Sequence, residues 1–247
     1  MTTTDSITKV CMLAGKIMLA SGAETYRVED TMNRIAAAYG LDDAQSYATP
    51  TGINFSKEQA DPANFMRISK RTTDLHKIAE VNKISRSIAA GNLEIKEAYL
   101  ALKELETRPF QFSNWLQIIA AAISSGCFTI MFGGSWTDFL PAMIAGGLGF
   151  TAMLFVDGFL EIRFIAEFTA SLFIAMLAVL FISLGIGVDL DKIIIGAVMP
   201  LVPGLHITNA IRDLMAGHLV AGVSKGVEAT LTAFAIGAGV AAVVMFI

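Results

Sequence analysis

From residue 109 onward the chain runs through five stretches that contain no Lys, Arg, Asp or Glu: residues 109–137, 139–156, 168–188, 193–211 and 229–247. Each is 18 residues or longer, and a hydrocarbon layer about 30 Å thick is crossed by roughly 20 helical residues. A β-barrel would instead show short alternating stretches. Only helices satisfy the backbone over such runs, so about five transmembrane helices are expected.

The charge is concentrated ahead of these runs. Residues 1–108 hold 14 basic and 14 acidic residues, leaving 4 of the 18 Lys and Arg and 8 of the 22 Asp and Glu to the rest. The fold class expected is therefore an α-helical integral membrane protein preceded by a small α+β cytoplasmic domain, divided as 1–108 and 109–247. Asp5, Lys9 and Lys16 interrupt the apolar pattern of the first 21 residues, which leaves no clean signal-peptide core. With the amino terminus inside, Arg108, Arg163, Arg212 and Lys225 fall at cytoplasmic ends, while Asp138, Asp189, Asp191 and Lys192 lie on the other side. An inner-membrane, multi-pass location is expected.

Within the polar part, Ile7, Val10, Leu13, Ala14, Ile17 and Met18 recur at helical spacing and predict a first helix over 6–20. Ser21 and Glu24 read as a capping box opening a second helix, which Gly40 ends. Residues 45–48, 52–56 and 65–69, punctuated by Pro50, Gly52 and Asp61-Pro62, predict a small sheet. Thr73 or Asp74 caps a third helix through Ala90. A fourth follows over 95–105 with Leu100, Leu102 and Leu105 inward, and Pro109 stops it. Cys11 and Cys127 have no metal or redox spacing and read as small apolar filler.

The run 193–211 differs from the other four. Pro200 and Pro203-Gly204 interrupt it, since proline removes a backbone donor and clashes with the preceding turn. A half-helix, an unwound stretch near 200–204 and a second helix to about Met215 are expected. Transporters use such breaks to present bare backbone and helix ends to polar solutes. Beyond the break, His206, Asn209 and Asp213 share one helix face, with Thr208 and Arg212 on a neighbouring one. The substrate-binding candidates are Pro200, Pro203, Gly204, His206, Thr208, Asn209, Arg212 and Asp213. Arg212 suits a carboxylate and Asp213 an ammonium group, unless both simply mark the membrane edge.

Asp157, Glu161 and Glu228 are candidates for coupling to protons, because an acid that changes protonation near the membrane can carry one. Asp157, Glu161, Arg163 and Glu167 read equally as a solvated loop, and Lys225 with Glu228 as an interfacial ion pair. Glu24, Arg27, Glu29, Thr49, Thr51, His76, Glu80 and Asn82 have the most potential for a shared pocket in the polar part, against a plain charged surface. No catalytic spacing, metal pattern or phosphate loop appears, so no cofactor, metal or nucleic acid is expected.

The stretches SGAETYRVEDTMNRI (21–35), ATPTGI (48–53), HKIAEVNKISR (76–86) and PLVPGLHITNAIRDLMAGHLVAGVSKGVEA (200–229) resemble the amino-terminal component of the threonine/serine exporter family over nearly the whole chain. The resemblance implies a cytosolic domain followed by about five spans. It also implies export of small carboxylate-bearing solutes, either threonine and serine or a dicarboxylate such as succinate, driven by the proton gradient. In that family a second module completes the transporter. Since this chain stops at Ile247 without one, a second small membrane subunit is expected as partner, besides lipid and the small-molecule substrate. The alternatives are a membrane-anchored hydrolytic enzyme or a membrane sensor, neither of which needs a broken span.

Overall fold

The first helix, α1 (Thr3–Ala20), is buried on nearly every side from Val10 to Leu19, as an apolar helix inside a core must be, and it packs against α2 (Thr25–Ala38), with Val10, Cys11, Ala14, Met18, Val28, Met32 and Ile35 in the shared core. The computed structural model describes residues 3–58, 61–108, 112–160 and 162–247. It divides into two units, Met1–Gln111 with His206–Gly226, and Phe112–Leu205 with Val227–Ile247.

In the first unit α2 ends at Tyr39 and Gly40, whose φ of 84° is the left-handed conformation glycine adopts freely. An antiparallel sheet follows in the order β1 (Gln45–Thr49), β2 (Gly52–Ser56), β3 (Asn64–Arg67). Thr49 faces Gly52 across the Pro50-Thr51 turn, and Ile53 and Phe55 of β2 are buried in the helical core. A Cβ at Gly52 would lie 2.8 Å from the Phe65 ring, so the glycine sets how closely β3 approaches. Asp74 caps α3 (Leu75–Ala89) by accepting from the Lys77 amide at 3.0 Å.

The fourth helix, α4 (Ile95–Thr107), turns differently from the expectation. Ala98, Leu102 and Leu105 face inward, whereas Leu100 is 67% exposed, because two residues on from Ala98 lies the far side of a 3.6-residue turn. Glu106 ties this helix down, accepting from Lys16 at 2.6 Å and Lys103 at 2.7 Å. The expected Pro109 stop lies outside the described residues.

The second unit holds α5 (Asn114–Met131), α6 (Trp136–Leu160), α7 (Arg163–Ser183), α8 (Leu190–Val198) and most of α10 (Leu219–Val244). Small residues set its packing. A Cβ on Gly196 of α8 would fall 1.9 Å from Thr129 Oγ1 of α5, and one on Gly146 of α6 would fall 2.0 Å from Ser125 Oγ. Helices in an apolar solvent gain little from burying more apolar surface, so close backbone approach through glycine holds them together instead.

Four helices, α5, α6, α7 and α10, are long and apolar enough to cross a membrane, or up to five if a bent pair is counted as one span. The pair is Leu190–Leu201 and α9 (Gly204–Met215). A 3-10 turn, Met199–Leu201, accommodates Pro200, so the break is narrower than expected and falls at Val202 and Pro203, where Val202 is extended. The helices also take in charge that the uncharged runs excluded: Asp138 and Asp157 lie in α6, and Lys225 and Glu228 in α10. Cys11 is buried, as a filler would be, but Cys127 is exposed on α5.

Candidate functional site

Lys225 and Asp213 are charged residues almost without exposure, and they meet in the first unit. Gly217, at φ 86°, turns the chain from α9 into α10. Gly222 then lets the two helices close, since a Cβ there would stand 2.5 Å from the Leu214 side chain and 2.9 Å from the Ala210 carbonyl. That approach brings Lys225 Nζ within 2.7 Å of Asp213 Oδ2. The expected Lys225–Glu228 ion pair is therefore replaced by one across the hairpin.

Both partners are also tied to the turn between α1 and α2. Thr25 donates its amide to Asp213 Oδ1 at 2.8 Å and its hydroxyl to Oδ2 at 3.0 Å. Lys225 donates to the Ala23 carbonyl and to Thr25 Oγ1, each at 3.1 Å. The expected Ser21–Glu24 capping box does not form. Glu24 occupies the cap position of α2 without a side-chain capping bond to the helix backbone, and the remote Asp213 carboxylate takes the Thr25 amide instead.

Glu24 is free of that duty because two arginines hold it. Arg212 Nη1 donates to Oε1 at 2.6 Å and Arg27 Nη1 to Oε2 at 3.1 Å, while the Glu24 side chain is 6% exposed. Burial alone would push the Glu24 carboxyl upward. Its own backbone hydrogen bond and those from Arg212 and Arg27 outweigh burial and hold it below its ordinary value of 4.5. One turn earlier on α9, Asn209 Nδ2 donates to the Gly22 carbonyl at 2.9 Å. Glu29 accepts the Ala48 amide at 2.8 Å and lies 3.5 Å from His218 Nδ1; burial, the largest influence, pushes its carboxyl up.

Of the eight substrate-binding candidates, this cluster brings together Asn209, Arg212 and Asp213. His206 is half-buried and Thr208 exposed on the same helix. Pro200, Pro203 and Gly204 belong to the second unit. Thr25 and Lys225 were not foreseen as members, although a lysine in an otherwise apolar stretch is a signal that could have pointed to Lys225. Of the polar residues considered for a shared pocket, Arg27 and Asn82 line an open groove of about 540 Å³ with Ala79, Lys83, Arg86, Ser87, Ala90 and Asn92. Thr49 instead closes its own hairpin by bonding the Gly52 carbonyl.

The second unit has two buried acids of its own. Asp138 accepts from the Ser135 amide and hydroxyl on Oδ2 and from the Val188 and Asp189 amides on Oδ1, which joins two helix connections. Glu167 accepts from Arg163 Nε at 2.9 Å on Oε1. Among the coupling candidates, Asp157 is exposed, Glu228 is half-buried, and Glu161 lies outside the described residues.

Four helices long and apolar enough to cross a membrane, or five with the bent pair counted as one, mark a membrane protein of the multi-span class. The family model described as "Putative threonine/serine exporter" matches residues 9–247, and the chain belongs to that family. It is 26% identical over 215 residues to the "Probable threonine/serine exporter" of Mycobacterium tuberculosis, covering 85% of this chain and 40% of that protein. To the "Threonine/serine exporter" of Corynebacterium glutamicum it is 27% identical over 236 residues, covering 92% of this chain and 48% of the other. It is 24% identical over 242 residues to the "Probable succinate transporter subunit YjjP" of Klebsiella aerogenes, covering 95% of this chain and 92% of that one. The chain thus spans less than half of the two named exporters. No solved structure matches it.

Proposed function

We propose that this chain is one subunit of a secondary transporter that exports small carboxylate-bearing solutes, of the threonine and serine or the succinate kind, across the inner membrane with protons as the driving ion. The polar α+β part lies on the cytoplasmic face, and a second small membrane subunit completes the transport path. The relative matched over 92% of its own length is itself named a subunit, which supports the partner.

The observation that carries the site is the Arg212–Glu24 pair. Arg212 is the carboxylate grip, and in this arrangement Glu24 stands in for the solute, because a guanidinium binds either carboxylate in the same way. The Arg212 side chain is 55% exposed, so an incoming carboxylate can reach it. Asp213, which accepts from Lys225 and Thr25, is the acceptor for a solute ammonium group.

Vesicles containing this chain and its partner subunit, loaded with labelled serine, threonine or succinate, test the reading. At least one solute should leave, and Arg212→Ala should raise the KM by about tenfold, a loss of roughly 1.4 kcal/mol of recognition. If none of the three leaves, or if the variant exports like the wild type, the reading is wrong. Release of a hydrolysed product would favour the membrane-anchored enzyme instead.

A further inference from the structure

The coupling candidates read from the sequence pass over the acid with the most unusual surroundings. Glu167 lies in the second turn of α7, in a helix apolar and long enough to cross the membrane, and is 1% exposed. Its Oε1 takes the Arg163 guanidinium, while its Oε2 is buried with no hydrogen-bond partner among the described residues. An ionised oxygen left bare in an apolar interior is costly, and a proton is the smallest species that relieves it.

Among the described residues no charged group bonds that oxygen. Gly149 of α6 packs on Ala170 and Ile174 of α7, and Asp157, two turns further along α6, is exposed. Asp138, at the other end of α6, is bonded at Val188 and Asp189, beyond the far end of α7. Asp191 and Lys192 of α8 lie next to that same connection and pair with each other at 3.6 Å. On α10, Gly239 packs against Phe168 and Ser171, and Glu228 precedes it by 11 residues, about 16 Å of helix rise.

We propose that Glu167 is the proton-carrying acid of the transporter. Its Oε2 gains a proton from water on one side of the membrane and returns it to water on the other, the carboxyl passing between its neutral and charged forms, with no other group oxidised or reduced. Arg163 stays on Oε1 and remains the counter-ion of the charged form.

The proposal rests on the transport reading above, so two measurements separate the two. In vesicles with the partner subunit, the wild type should accumulate solute against its gradient when a pH difference is imposed and should also exchange solute at equal pH. Glu167→Gln should lose pH-driven accumulation by at least about tenfold while exchange persists; Glu167→Asp should keep part of the coupling. Independently of any solute, infrared titration of the full chain in detergent should show a protonated-carboxyl band that Glu167→Gln lacks. A Gln variant still driven by the pH difference, or no such band in the wild type, would overturn the assignment of Glu167. A wild type that neither exchanges nor accumulates any of the three solutes would overturn the transport reading, and the infrared band would then decide about Glu167 alone.

Discussion

Asp213 of the first unit and Glu167 of the second are buried under opposite conditions. Asp213, in the first, has three side-chain and backbone donors on its carboxylate, one of them a lysine ammonium; Glu167, in the second, has one donor on one oxygen and a bare second oxygen. A satisfied carboxylate is part of the fold, and removing its counter-charge strands it. A half-satisfied one costs stability where it stands and is kept for what it does. The comparison teaches that burial alone does not mark a proton-carrying acid; the number of donors on it decides.

Removing the charges one at a time should affect the two acids very differently. Lys225→Met should destabilise the folded chain by roughly 3–5 kcal/mol, because it leaves Asp213 charged and buried, and the double variant Asp213→Leu, Lys225→Met should recover most of that. Glu167→Leu should cost less than about 1 kcal/mol, since it removes a carboxylate already short of partners while Arg163, 55% exposed, keeps its water. Thermal unfolding in detergent reads all three. Equal losses for the lysine and glutamate variants would erase the distinction.

A smaller effect, confined to groups of the first unit, depends on pH. Glu24 and Glu106 both titrate below their ordinary value of 4.5, Glu24 because its hydrogen bonds outweigh burial and Glu106 chiefly through hydrogen bonds from Lys103 and Lys16. A depressed folded value means that the charged form is favoured in the native state, so this stability is present above 4.5 and is lost as pH falls through the lower folded values. Burial raises Glu29, which acts in the opposite sense and blunts the loss. The melting temperature should therefore fall on acidification below 4.5, and Glu24→Gln should flatten the fall; an unchanged slope would remove Glu24 from the account.

These charges also divide what a reader of the sequence could find from what required the fold. The apolar spacing of α1, the Asp74 cap, the glycines after α2 and α3 and the break before Gly204 are local, set by residues within a turn of one another. The Asp213 cluster is not. Thr25 and Asp213 stand 188 residues apart, and Lys225 had a closer partner on paper in Glu228. Arg212 and Asn209 were legible as polar residues past a broken span, but their engagement with Glu24 and Gly22 depends on a turn from another part of the chain. Glu167 read as one more charge in a loop because the uniformly apolar helices around it carry no periodicity that would place it inside.

If Glu24 occupies the position a solute carboxylate takes on Arg212, the KM of Glu24→Gln for the exported solute must respond. Gln accepts from Arg212 without charge and competes more weakly, by about 0.5–1 kcal/mol at a partly exposed pair, so the KM should fall by about two- to fivefold. A folded Glu24→Gln transporter whose KM is unchanged or higher would contradict the claim and leave the pair as a structural bond between α9 and the start of α2.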